Sequence, residues 1–190
     1  GRYQLVLTQG QQTRLAVREV EVSQDNQEID FGESTLAEIR GVLEVSGDRA
    51  KLGAQPIVVL RRAGSDTGAM RVVEPNGTFL MPGVEQGAYR PWLNVRAPHV
   101  IRSITAKGAT VRDGLLIVPA TGSVDLKIVV DTEVAGIDGR LISNGRGVTG
   151  ALVVVTAKGR LHDAWLHRVD QTDSDGSFSW RGLAPGEYLA

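Results

Sequence analysis

The sequence predicts an all-β chain of tandem Greek-key β-sandwiches, and three observations carry that prediction. Short apolar or alternating runs recur roughly every 8 to 12 residues, separated by glycine- and asparagine-containing turns. A signature occurs twice: Pro75–Tyr89 and Ser174–Tyr188 carry Gly, Phe, Gly, Gly and Tyr at identical spacings. No segment sustains the 3.6-residue period over three turns; Arg160–His167 comes nearest, with one or two turns at best.

Each element follows from its own pattern. Tyr3–Leu7 is an apolar strand, and Gln9–Gln12 a polar connector. Val17–Val22 alternates, with Val20 and Val22 on one face and Glu19 and Glu21 on the other. Asp25-Asn26 marks a turn. Residues 1–33 are therefore expected to be the closing strands of a preceding sandwich.

A complete unit is expected over 36–132. It opens at Ile39–Leu43, which matches Ile137–Leu141, although Ser34-Thr35 could instead cap a short helix through Ala37 and Glu38. Pro56–Leu60 and Gly150–Val155 are β-branched runs that suit central strands covered on both sides. The strand Arg71–Val73 leads into the signature, where Asn76-Gly77 and Asp175-Gly176 read as hairpin turns. Trp92–Val95, Ile101–Ile104 and Leu115–Val118 are further strands, and Val124–Val130 alternates with Val124, Leu126, Ile128 and Val130 inward. Thr132–Val134 bridges to a second unit, 134–190, which is expected to be truncated at its C-terminal side and to leave an open sheet edge.

Composition narrows the function classes. A net charge of −1 over 190 residues argues against nucleic-acid or anionic-membrane coating. With no cysteine, disulfides and thiolate metal sites are excluded. No apolar run approaches the length of a membrane-spanning helix. The 23 glycines fit a chain with many tight turns.

The duplicated residues resemble the carboxypeptidase regulatory-like domain. The resemblance rests on Gly-[Val/Leu]-x-x-Gly-x-Tyr after (Asn/Asp)-Gly-x-Phe, with Gly-Ala-x-Val-x-Val upstream of the second copy. It is strongest over 134–190, extends over 38–131 and weakens over 1–31. It implies a seven-stranded, immunoglobulin-like or prealbumin-like (transthyretin-like) sandwich, grouped by fold with carbohydrate-binding-like domains. Within that fold Gly77, Gly83, Gly87, Gly176, Gly182 and Gly186 turn the chain, while Phe79 and Phe178 face the core. Tyr89 and Tyr188 stand where tyrosine corners belong.

The family name raises a zinc peptidase, but no histidine here is followed by glutamate three positions on. His162, Asp163 and His167 form the sole compact His/carboxylate cluster, better read as a solvated loop; His99 reads as a strand-end residue. Asp173-x-Asp175-Gly176 fails the frame of a calcium loop, because Gly182 falls where the bidentate glutamate belongs. Glu85 and Glu187 are single turn carboxylates, no Gly-x-Ser-x-Gly elbow occurs, and neither first strand holds a lysine for an internal isopeptide. Asn76-Gly77-Thr78 fits a glycosylation sequon.

The expectation is a non-catalytic structural or interaction module of a multidomain protein, secreted, periplasmic or in the cell envelope. It needs no cofactor or metal, and its partners are neighbouring domains of the same chain. The alternative is a carbohydrate-binding module. Its ring would be Trp165, beside His162, Asp163 and Arg168, with Trp92 and Trp180 as lesser candidates. A further alternative is an accessory domain of a zinc carboxypeptidase or outer-membrane receptor.

Overall fold

The computed structural model describes residues 1–9, 13–23, 28–30, 36–65, 67–161 and 166–189. Strands dominate it, as the alternating patterns require, and the chain consists of β-sandwich domains. At the N-terminal end β1 (Arg2–Gln9) and β2 (Thr13–Glu21) pair antiparallel, so that Tyr3 faces Val20 and Val6 faces Val17.

Among the described residues nine strands follow: β3 (Ala37–Ser46), β4 (Ile57–Arg62), β5 (Gly68–Val72), β6 (Thr78–Val84), β7 (Gly87–Asn94), β8 (Val100–Lys107), β9 (Thr110–Arg112), β10 (Leu115–Val118) and β11 (Gly122–Asp131). They form two sheets, ordered β5-β4-β7-β10-β9 and β6-β3-β11-β8. That is two strands more than a seven-stranded unit. One hydrophobic core joins the layers. Ile39, Leu43, Leu126, Ile128 and Val130 fill it from one side, and Val58, Leu60, Tyr89, Leu93 and Leu116 from the other. Period-two alternation produces this sorting, since each strand turns every second side chain inward.

The register holds one feature that local pattern does not encode. β3 and β11, the first and last strands of this sandwich, run parallel and adjacent over ten residue pairs, from Ala37↔Gly122 to Ser46↔Asp131.

In the remainder of the chain β12 (Ala135–Arg140) pairs with β17 (Ser177–Leu183), and β13 (Ile142–Ser143) with β14 (Arg146–Gly147). β15 (Leu152–Ala157) lies between β16 (Arg168–Gln171) and β18 (Tyr188–Leu189). A smaller core of Val155, Trp180 and Leu183 is flanked by Ile137, Val153, Phe178 and Tyr188.

Three expectations need correction. The β-branched runs are not covered on both sides: β4 buries Val58 and Leu60 while Ile57 and Val59 are half-buried, and β15 buries Val155 while Leu152 and Val154 are exposed. A two-layer sandwich covers one face of each sheet, and the outward β-branched residues serve strand propensity rather than core packing. Ala37 and Glu38 lie in β3, so the helical alternative fails there; Ser34 and Thr35 fall outside the described residues.

Nor are the Asn-Gly and Asp-Gly turns β-hairpins between paired strands. β5 pairs with β4 and β6 with β3, so each turn carries the chain from one sheet to the other. The same holds for β16 and β17.

A packing device recurs in both halves. Gly41 is the direct cross-strand partner of Phe79, and Gly139 of Phe178. In each case the phenyl ring lies over the glycine, and a Cβ there would fall inside the ring's van der Waals envelope. Gly41→Ala should therefore destabilise the chain by about 1–3 kcal/mol through overpacking, read as a lower urea midpoint at unchanged slope.

Candidate functional site

The duplicated signature is held by the same hydrogen bonds twice. Gly77 N–H donates to the Glu74 carbonyl at 2.8 Å, and Gly176 N–H to that of Asp173 at 2.9 Å. Glu74 N–H reaches the Thr78 carbonyl and Asp173 N–H that of Ser177, both at 2.8 Å. The side chains of Asn76 and Asp175 each accept the N–H two residues on, from Thr78 and Ser177, at 3.0 Å. Gly77 and Gly176 have φ of 89° and 85°, the left-handed region where a side chain is strained, and a Cβ at either would press against a backbone carbonyl, of Leu43 and Leu141.

A corner follows. β6 ends at Val84 and β7 starts at Gly87 in the other sheet, leaving two residues to turn the chain. Tyr89 is 3% exposed, and its hydroxyl donates to the Glu85 carbonyl at 2.9 Å. Tyr188 repeats the bond, to the Ala184 carbonyl at 2.5 Å, from a half-buried ring. Gly83 and Gly182 share φ near 75°, while Gly87 opens a strand and is not itself a turn residue. Arg62 clamps the first corner, reaching the Glu85 carboxylate at 2.8 Å and the Gln86 carbonyl at 3.1 Å. In the second copy Lys158 pairs with Glu187 at 2.8 Å. Both glutamates are thus held by basic neighbours on their own corner.

The expected ligand cluster is seen only in part, because His162, Asp163 and Trp165 fall outside the described residues. Arg168 is partly buried and its guanidinium donates to the carbonyls of His167 and Gly182, at 3.0 and 3.1 Å. Burial pulls its pKa below the ordinary guanidinium value. It joins the start of β16 to the end of β17, an internal tether. His99 stands just before β8, with Nδ1 2.9 Å from the Ala97 carbonyl oxygen. Among the described residues no group of three His, Cys, Asp or Glu side chains could hold a metal ion.

The tryptophans separate. Trp180 is buried, its ring 4.8 Å from that of Phe178 and tilted by 50°. Trp92, by contrast, is 47% exposed on the outer face of the five-stranded sheet. Directly beside it across two strands lie Val59 and Met70, the latter 68% exposed. The next row on this face pairs Arg61 with Arg90, both exposed. In the sequence Trp92 stands out as a candidate ring, while Arg61 reads with Arg62 as a pair too sparse for a basic stripe and Arg90 carries no signal. Strand parity does put Arg61 with Val59 and Arg90 with Trp92, yet only the register of β4 on β7 brings the two pairs together.

Fold and surface thus define a chain of all-β sandwich domains with an aromatic and basic outer sheet face. No family model and no curated protein matches the sequence. Among solved structures the chain is similar to the Bacillus anthracis TIE protein, at 10% identity and TM-score 0.36, over 82% of this chain and 28% of that one. It is also similar to a streptococcal ancillary pilin, at 14% identity and TM-score 0.32, over 99% of this chain and 64% of that one. The chain spans less than two thirds of the length of either. No helix among the described residues is long and apolar enough to cross a membrane.

Two outcomes follow from the geometry. Tyr89→Phe should cost about 1–2 kcal/mol, and Tyr188→Phe less, because its ring is less buried; chemical denaturation reads both. The second concerns acid. Hydrogen bonds from Ser179 and then Arg181 lower the Asp138 pKa, and the Ser177 side chain and N–H lower that of Asp175. A depressed carboxylate contributes stability above its unfolded value, about 3.9, and loses it as pH falls through the folded value. Ser177→Ala with Ser179→Ala should therefore flatten the acid limb of a stability-against-pH curve while leaving the slope above pH 6 unchanged.

Proposed function

We propose that this chain is a structural segment of a multidomain secreted or cell-surface protein and that its task is to carry tension between neighbouring domains. One observation carries this reading: the parallel pairing of β3 with β11 over ten residue pairs. Because the strands are parallel, the entry end of β3 and the exit end of β11 lie at opposite ends of the pair. A pull along the chain therefore loads all the rungs together in shear instead of opening them one at a time.

The exit from β11 is also tied down. Asp131 is buried, accepts from Arg102 at 2.8 Å and from Glu133 N–H at 2.8 Å, and Thr132 N–H reaches the Ser46 carbonyl at 3.1 Å. Lys51 pairs with Glu133 at 2.8 Å. Glu44 and Lys127 add an ion pair across the β3–β11 seam.

In this reading residues 36–132 and 134–190 are serial units of the carboxypeptidase regulatory-like kind, and 1–33 belong to a preceding one. What supports the kinship is the turn-and-corner hydrogen bonding repeated at a 99-residue offset. The role is non-catalytic: the Asp, Glu and Tyr groups of the signature are engaged in turns, corners and ion pairs.

Force spectroscopy on the chain held between handle domains tests the proposal. A distinct unfolding peak is expected, with a length gain of about 30 nm for residues 37–131 at about 3.5 Å per residue. Leu43 N–H bonds the Gly77 carbonyl on the β6 side, so alternation aims Val42 N–H at β11. Val42→Pro should lower the peak force sharply. Leu116→Ala, a core truncation outside the seam costing about 2–5 kcal/mol, should lower it much less. Extension without a peak, or equal loss in both variants, would defeat the reading.

A further inference from the structure

The outer face of the five-stranded sheet has a charge pattern that its own fold does not explain. Its outward residues on β5, β4, β7, β10 and β9 include Arg61, Arg90 and Arg112 and not one carboxylate. Arg112 has Asp113 in the adjoining turn, at 3.6 Å. Arg61 and Arg90 are different. They are direct cross-strand partners, and among the described residues neither guanidinium has a hydrogen-bond or ion-pair partner. Like charges placed directly opposite on a sheet repel and destabilise it. Beside them lies an apolar strip formed by Trp92, Val59 and Met70 in one row and by Ile57 and Val72 in the next, with Val72 40% exposed.

We propose that this face binds an anionic polysaccharide, with a sugar ring stacked on Trp92 and its carboxylate or sulfate held between Arg61 and Arg90. Three features favour that occupant. β4 is paired on both sides from Ile57 to Arg61, while β7 meets β10 only over Gly87–Tyr89, so along the Arg61 and Val59 rows of β4 recognition runs through side chains. The exposed indole has apolar Val59 and Met70 in its row on the β4 and β5 side, an apolar platform suited to a pyranose ring. Two guanidinium forks on adjacent strands can engage one anionic group from both sides, a geometry that cancels their mutual repulsion. A nucleic acid would call for a longer basic stripe than two arginines supply on a chain of net charge −1.

The site is separate from the tension-bearing seam, so the two readings fail independently. The test uses the full 190-residue chain in affinity electrophoresis and calorimetry against four probes: polygalacturonate, dextran sulfate, neutral dextran and polyglutamate. Retention by polygalacturonate, dextran sulfate or both is expected, weakening between 50 and 300 mM salt, with none on dextran. The pattern across the first two probes tells carboxylate from sulfate. Arg61→Gln with Arg90→Gln, and separately Trp92→Ala, should each weaken binding at least tenfold, while Trp92→Tyr retains part of it. These side chains point outward, so unchanged melting curves would show the variants folded. Equal binding of polyglutamate, indifference to Trp92→Ala, or no binding to either acidic glycan would overturn the proposal.

Discussion

A phenol hydroxyl bonded to the carbonyl four residues upstream is the contact on which the sandwich geometry depends. Between Val72 and Gly87 the chain leaves one sheet, runs through β6 in the other and returns. Two crossings in so short a stretch expose backbone groups that must be satisfied where there is no ladder to satisfy them. The Asn76 and Asp175 side chains and the bonds closing Glu74–Thr78 and Asp173–Ser177 do so at the first crossing. Tyr89 and Tyr188 do so at the second. Because each ring also packs against a hydrophobic core, the corner and the layer spacing are set by a single side chain.

The glycine beneath each phenylalanine belongs to the same arrangement. Phe79 and Phe178 begin two residues after the turn glycine, so the turn that opens the strand also aims the ring at the facing strand. A small residue there lets the ring lie flat over the backbone and leaves no void. Turn, ring, glycine and phenol are therefore one linked unit, which is why they recur together, with only the spacing to the first strand shifting by one residue between copies.

Fold class was legible because it rests on local chemistry. Alternation assigned Val124, Leu126, Ile128 and Val130 to the core, and all four are buried. What escaped was everything decided by which strands meet. A run such as Val17–Val22 or Pro56–Leu60 shows its own two faces but not what covers them. The parallel neighbour of β3 lies about 85 residues away, so no short-range pattern announces it. The pairing of Arg61 with Arg90 is hidden for the same reason: each lies just outside the strand runs Pro56–Leu60 and Trp92–Val95, and only laying β4 against β7 brings the two together. Of the candidate ligand residues, Arg168 reads from sequence as a polar neighbour of Trp165. It lies at the head of a strand with its guanidinium spent on backbone carbonyls, a role visible only once β17 is in place.

The seam between the first and last strands also bears on how the sandwich is made. During synthesis β3 emerges from the ribosome long before β11, and until then Ile39 and Leu43 have one neighbouring strand where the finished sheet gives them two. Closure must wait for a long-range contact, the kind that slows folding. A nascent chain that pauses before residue 122 would hold a half-built sheet whose vacant flank fits any strand of like pattern. Sequence divergence between the matching runs Ile39–Leu43 and Ile137–Leu141, such as Val42 against Arg140, would then help each strand find its own partner.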